Sequence, residues 1–316
     1  MHPPTLRSIL APIGLGGATD AVLETAAELA IHPDAELHLM HAVDTPTLPF
    51  RAAQTAVEFQ SQLHEARRAL NDLVRTKLDP EHEPATIDVR AEPPARAILE
   101  RAAEVEADLI VIGPNRRRGI GPALLGTTAD RVIRSAAAPV LVVREPLRLP
   151  IERILAPIDL SEPARGALDA ALRWAAGFGA PSGAAAGRTR VRVLHTAPEG
   201  FRQWLPEVDL VEMYPSLAHE AEAARERTGV GGRVEIEPEL VWADAPDERI
   251  CAEAQEWGAD LIVLGTHGHN ALGRALIGST TSGVARNAPC AVLLVPPALW
   301  REGAVGAGEA EGAAAL

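Results

Sequence analysis

Gly265, Gly268, Gly278 and Ser279 are the residues whose types and spacing could do chemistry. They stand directly behind the apolar run Ala259-Asp260-Leu261-Ile262-Val263-Leu264 and open onto a helical segment at Ser279-Thr280. Glycines in such a loop let the backbone approach an anion closely, and the N–H groups of a starting helix can satisfy its oxygens. A short Val/Ile/Leu strand feeding that loop points to the phosphate of a nucleotide as the anion. No GxxxxGK[ST] segment is present, so this is phosphate binding by backbone rather than by a Walker lysine.

The elements that must position these glycines occur twice. Ala107-Asp108-Leu109-Ile110-Val111-Ile112-Gly113 repeats the run 152 positions earlier (107 against 259) and ends in Gly126-Thr127-Thr128 at the same spacing, so the chain is a tandem duplication. First strands are expected at Ser8 to Gly14 and Arg153 to Asp159, followed by Ala/Leu-rich helices at Ala18 to Ala30 and Ala164 to Gly177. Second strands follow at Glu36 to His41 and Arg190 to His195, long helices at about 51 to 77 and 209 to 228, and third strands at Thr86 to Arg90 and Glu235 to Val241. Helices Pro94 to Ala103 and Pro246 to Trp257 then precede the glycine loops, and Val140 to Val143 and Val292 to Val295 close each half.

Strands alternating with helices predict right-handed crossovers and a parallel sheet covered on both faces. The fold class is therefore α/β, as two tandem doubly wound five-stranded domains at 1–146 and 151–298. Arg144 to Pro150 reads as the linker, Gly179 to Gly187 as an inserted surface loop, and the Gly/Ala/Glu-rich tail 299–316 as disordered.

Composition narrows the class further. The 316 residues carry 30 Lys+Arg against 43 Asp+Glu, a formal charge of −13, which argues against nucleic acid or an anionic membrane as partner. Only Cys251 and Cys290 are present, so neither a disulfide framework nor a CxxC metal pair is expected. No leader and no membrane-length apolar stretch is evident, and a cytoplasmic location is expected. Cys251 is expected to be a buried inert thiol.

With strand-end Asp159, the G-x2-G-x9-G-[ST] pattern at Gly265, Gly268, Gly278 and Ser279, and a closing strand after Asn287-Ala288-Pro289-Cys290, the second repeat resembles the universal stress protein family. The resemblance covers nearly the whole chain, twice, and the glycine spacing is that of the family's ATP-binding branch. It implies that Pro157 and Asp159 line the adenosine side and that the backbone of Thr196 meets the adenine edge. Leu264, Gly265 and Gly268 would then surround the ribose and phosphates, with Gly278, Ser279 and Thr280 closing over the phosphate chain. ATP, with Mg2+ as its companion ion, is the implied ligand. The family's dimer contact, applied to the two closing strands, implies an intrachain pseudo-dimer and leaves a homodimer open.

The first repeat departs from the pattern at two places. Gly14 replaces the carboxylate of Asp159, and Arg116, in the run Arg116-Arg117-Arg118, replaces Gly268. A guanidinium where no Cβ is wanted fills the pocket or displaces the loop, so nucleotide is expected mainly in the second repeat. Asp159 has a plainer reading as a cap for the next helix. His267 and His269 lack a third ligand at metal spacing, and no metal site is expected. His41 and His195, at matched strand ends, read as strand-end packing.

The function these readings imply is an ATP-binding stress-response regulator with no catalytic residue and an unidentified protein partner. A slow ATP-hydrolysing enzyme and a nucleotide-free interaction scaffold are the alternatives, since fold alone does not settle function.

Overall fold

Runs such as Leu109-Ile110-Val111-Ile112, every side chain buried, can only sit in a sheet covered on both faces. The computed structural model describes residues 6–15, 19–30, 34–44, 52–78, 84–114, 125–181, 188–202, 208–266 and 277–297, giving only the backbone of 52–59, 201, 202 and 208–214. The chain divides between Arg148 and Leu149 into two compact units. The tail, the 182–187 loop residues, Arg116 to Arg118, His267, Gly268 and His269 lie outside the described residues.

The first unit runs β1 (Ser8–Pro12), α1 (Thr19–Leu29), β2 (Glu36–Ala42), α2 (Ala52–Lys77), β3 (Thr86–Arg90), α3 (Pro94–Glu104), β4 (Leu109–Ile112), α4 (Thr127–Ser135) and β5 (Val140–Val142). The second runs β6 (Arg153–Pro157), α5 (Glu162–Phe178), β7 (Thr189–Ala197), a short helix α6 (Glu199–Arg202), α7 (Val208–Thr228), β8 (Val234–Trp242), α8 (Pro246–Trp257), β9 (Leu261–Gly265), α9 (Ser279–Asn287) and β10 (Ala291–Val295). Strand order is β3-β2-β1-β4-β5 in one and β8-β7-β6-β9-β10 in the other. All pairings within each unit are parallel. The α/β, doubly wound expectation is met in both halves.

Two devices recur at equivalent positions. The aspartate ahead of the fourth strand staples the start of the first: Asp108 Oδ2 accepts from the N–H groups of Arg7 and Ser8 at 2.8 and 3.0 Å, and Asp260 Oδ2 from those of Glu152 and Arg153 at 2.9 Å each. In the sequence this residue reads only as part of a strand. The helix before it ends in a Schellman turn, in which Ala107 N–H reaches Ala102 C=O at 2.8 Å and Ala259 N–H reaches Ala254 C=O at 2.8 Å.

Beneath that helix the two units use opposite charges. In the second, Arg192 of β7 reaches Glu253 of α8 at 2.6 Å and Glu237 of β8 at 3.1 Å, with its guanidinium 4.3 Å from the Trp257 ring centroid. A cation held over an aromatic face with two carboxylates tolerates its partial burial. In the first, His38 of β2 stands beside Arg101 of α3, and its Nδ1 lies 3.0 Å from Thr86 Oγ1. Cys251, on α8, is half-buried rather than buried, because its helix turns Ile250 and Ala254 to the core.

Candidate functional site

In an open parallel sheet a ligand crevice forms at the carboxyl ends of the strands where the strand order reverses. In the second unit that place lies between β6 and β9, because β6 leads outward to β7 and β9 leads the other way to β10. Proline opens it. The ladder between β6 and β9 pairs Ile154 with Leu261 and Leu155 with Ile262, and the Asp260 N–H to Arg153 C=O bond shows that 153, 155 and 157 face β9. Pro157 therefore stands where the next donor to β9 would be, and has none. Pro12 repeats the arrangement in the first unit, where Asp108 N–H bonds Ser8 C=O.

On the other side of β6 the last backbone rung is Ile158 N–H to Leu194 C=O, 2.8 Å. Thr196, half-buried and near the end of β7, comes two residues later. Backbone groups alternate along a strand, and Ala197 C=O accepts from Ala243 on the β8 side. The N–H and C=O of Thr196 therefore face the β6 side, beyond the last rung. The Ile158 carbonyl there is taken instead by the ring of His195, at 2.8 Å from Nδ1.

Asp159 is exposed in the loop after β6. Its Oδ1 accepts from Ser161 N–H at 3.1 Å and from the Ser161 hydroxyl. Ser161, not Asp159, caps α5, accepting from Ala164 N–H at 3.4 Å. The capping reading of Asp159 is thus half right: it holds the residue that caps. Between them Leu160 adopts φ +61, a conformation that costs a non-glycine residue about 1 kcal/mol or more. The loop is held in one strained shape beside the crevice.

Leu264 is buried and Gly265 ends β9. Thr281 Oγ1 donates to Gly265 C=O at 2.9 Å, and Gly278 N–H to Thr266 C=O at 3.2 Å, so the start of α9 is tied to the end of β9. Thr281 is missed by a sequence reading that stops the motif at Thr280; its signal is that the first repeat has Ala129 at the matching position. Gly283 lets α9 close on α8, since a Cβ there would fall 2.6 Å from that of Asp247.

Gly278 is the N-cap of α9, with φ −57 and ψ 147 and no side-chain cap. That geometry is open to any residue, and a Cβ would meet only Thr281 Oγ1 at 3.7 Å, so the backbone itself does not require glycine here. What the glycine leaves is a first turn without a side-chain cap, with Ser279 and Thr280 at its mouth and no acidic residue in it. The matching helix α4 also begins at an uncapped glycine, Gly126, but carries Asp130 in its first turn, bonded to Arg134 at 2.8 and 3.0 Å.

The structure thus gathers Pro157, Asp159, Thr196, Leu264, Gly265, Gly278, Ser279 and Thr280 at the carboxyl edge of one sheet. Among the described residues no group of three His, Cys, Asp or Glu could hold a metal ion. No described helix is long and apolar enough to cross a membrane.

The sequence model of the universal stress protein family matches residues 5–144 and again 150–296. A universal stress protein of Mycolicibacterium smegmatis is 27% identical over 315 residues, covering 93% of this chain and 98% of its own length. One from Methanocaldococcus jannaschii is 34% identical over 137 residues, covering 40% of this chain and 78% of its own. The crystal structure of a universal stress protein from Archaeoglobus fulgidus matches the fold with a TM-score of 0.62 at 18% identity, over 92% of this chain and 96% of that one.

Proposed function

The chain belongs to the universal stress protein family, and on that premise we propose that its second half binds ATP and that the protein serves as a nucleotide-dependent stress-response regulator. The observation that carries this reading is the first turn of α9. A helix start leaves four N–H groups without intrahelical partners and bears a partial positive charge. In α9 no side chain caps them and no acid precedes an incoming anion.

The other groups fit an adenosine on the same phosphates. The crevice opens at Pro157, and Thr196 turns one donor and one acceptor toward it, the complement of an adenine edge. Asp159 stands at the mouth on a loop fixed by Ser161. Gly265 and Gly268 would let the backbone approach the ribose and phosphates, and Mg2+ enters only as the ion that accompanies the phosphates.

The first half is the weaker candidate, because Gly14 supplies no carboxylate and Asp130 already occupies the field at the start of α4. The reading is one of binding rather than turnover, so steady-state ATP hydrolysis below about 1 per minute is expected, against ~10 per second for a typical enzyme.

Mass spectrometry of nucleotide released from the purified protein, followed by titration calorimetry, tests this. The expected result is adenine nucleotide at one per chain, lost in Asp159→Ala. Binding of two equivalent nucleotides, or of none, overturns it.

A further inference from the structure

We infer that His195 is a positioning residue for the adenine edge: its ring occupies the Ile158 carbonyl and thereby keeps the Thr196 N–H available to ligand. The inference rests on the nucleotide reading of the second half but begins from an observation independent of it. A carbonyl oxygen only accepts, so the 2.8 Å contact from His195 Nδ1 to Ile158 C=O fixes the imidazole in the tautomer that carries its proton on Nδ1.

In a parallel ladder that begins Ile158 N–H to Leu194 C=O, the next bond is Thr196 N–H to Ile158 C=O. That bond is not made, and the ring of the intervening residue stands in its place. The sheet therefore stops one rung short on this side, while on the β8 side β7 continues in register to Ala197 and Trp242. A donor that β6 would otherwise consume is left facing the crevice that Pro157 opens.

The first unit carries the same device. Ile13 N–H bonds Met40 C=O at 2.7 Å, and His41 Nδ1 contacts Ile13 C=O at 2.6 Å. There Ala42 takes the place of Thr196, in a half whose glycine loop has lost its pattern. The bond thus comes with the strand-end geometry itself, and only the second half couples it to the other nucleotide groups. The plain reading of both histidines as strand-end packing is incomplete, because each replaces one ladder bond.

Three variants test the assignment: His195→Leu, which removes the donor; His195→Asn, whose Nδ2–H can donate from nearly the place of Nδ1; and His41→Leu, which makes the first change in the other half. Amide exchange at Thr196 reads the backbone directly and needs no nucleotide. It is expected to slow at least tenfold in His195→Leu, as the missing rung forms, and to stay fast in His195→Asn. Unchanged exchange at Thr196 in His195→Leu overturns the inference, whatever the protein binds.

Calorimetry with ATP and with inorganic triphosphate then reads the consequence. His195→Leu is expected to lose ATP affinity at least tenfold while keeping its triphosphate affinity, with His195→Asn and His41→Leu within about threefold of the wild type for both. Equal losses for ATP and triphosphate in His195→Leu overturn the positioning role. A wild-type protein that binds no ATP sinks the nucleotide reading instead, and leaves the exchange result to decide what His195 does to Thr196.

Discussion

Glu106 and Gly258 occupy the same left-handed position at the end of matching helices, with φ +48 and +69. Both serve the Schellman turn that hands α3 to β4 and α8 to β9. Glycine enters that region freely, whereas a residue with a Cβ pays about 1 kcal/mol or more.

Glu106→Gly is therefore expected to stabilise the first half by roughly 0.5–1 kcal/mol, after subtracting the extra freedom glycine gives the unfolded chain. The reverse change, Gly258→Glu, destabilises by more, because a Cβ there also lies 3.0 Å from Arg153 Nη1. Urea unfolding of both variants checks the pair, and a loss of stability in Glu106→Gly refutes the argument.

Gly278 gives a prediction in which stability and binding move in opposite directions. Its φ and ψ suit any N-cap residue, so Gly278→Asp can cap α9 and place a carboxylate at the positive end of the helix. The apo protein is expected to gain about 0.5 kcal/mol, a few tenths from the cap and the remainder from the charge at the helix start, while ATP affinity falls at least tenfold, about 1.4 kcal/mol, as the carboxylate fills and repels the phosphate seat. Gly126→Asp in the first half is expected to leave ATP affinity unchanged. Thermal unfolding with and without ATP reads both effects.

Much of this architecture is legible because the chain states it twice. The runs Leu109 to Ile112 and Leu261 to Leu264 are too apolar for anything but a doubly covered strand, and the glycines behind them mark where each strand ends. What escaped the sequence are backbone relations. Asp108 and Asp260 read as strand residues because their partners, the N–H groups of Arg7, Ser8, Glu152 and Arg153, lie about a hundred positions away and have no side-chain signature. His195 reads as packing for the same reason: its partner is a carbonyl. Asp159 drew attention as a carboxylate, yet one oxygen is engaged by Ser161 two residues later, a local turn that the spacing alone does not separate from ligand binding.

The aspartate staples carry a stability prediction. Each accepts from two backbone N–H groups, and removing a charged acceptor costs about 1.5–3 kcal/mol. Asp260→Ala and Asp108→Ala are each expected to destabilise by about 2 kcal/mol, with Asp→Asn at either site losing less because one acceptor oxygen remains. Equilibrium denaturation distinguishes this from a surface role, in which the alanine variants would lose less than about 0.5 kcal/mol.

The last prediction concerns acid sensitivity in the first half. Burial holds the pKa of His38 below its ordinary value; the Arg101 guanidinium pushes it the same way, and Glu36 only partly opposes them. Its Nε2 is buried without a hydrogen bond, 3.4 Å from a Glu36 carboxylate oxygen. Arg101 matters because the second half has Glu253 at the matching place, facing Arg192 rather than a histidine. The sign follows from proton counting. In the unfolded chain the ring takes up a proton near pH 6.5, and in the folded chain only at lower pH, so between the two values the unfolded state binds more protons. The stability that the neutral ring contributes is fully present above that range and is lost as pH falls from about 6.5 through the folded value. Between about pH 7.5 and about pH 5.5 the urea midpoint of the wild type is therefore expected to fall further than that of His38→Leu, which cannot take up the proton. Parallel pH profiles for the two proteins would show that His38 takes up its proton alike in the folded and unfolded chains, and would refute the lowered pKa.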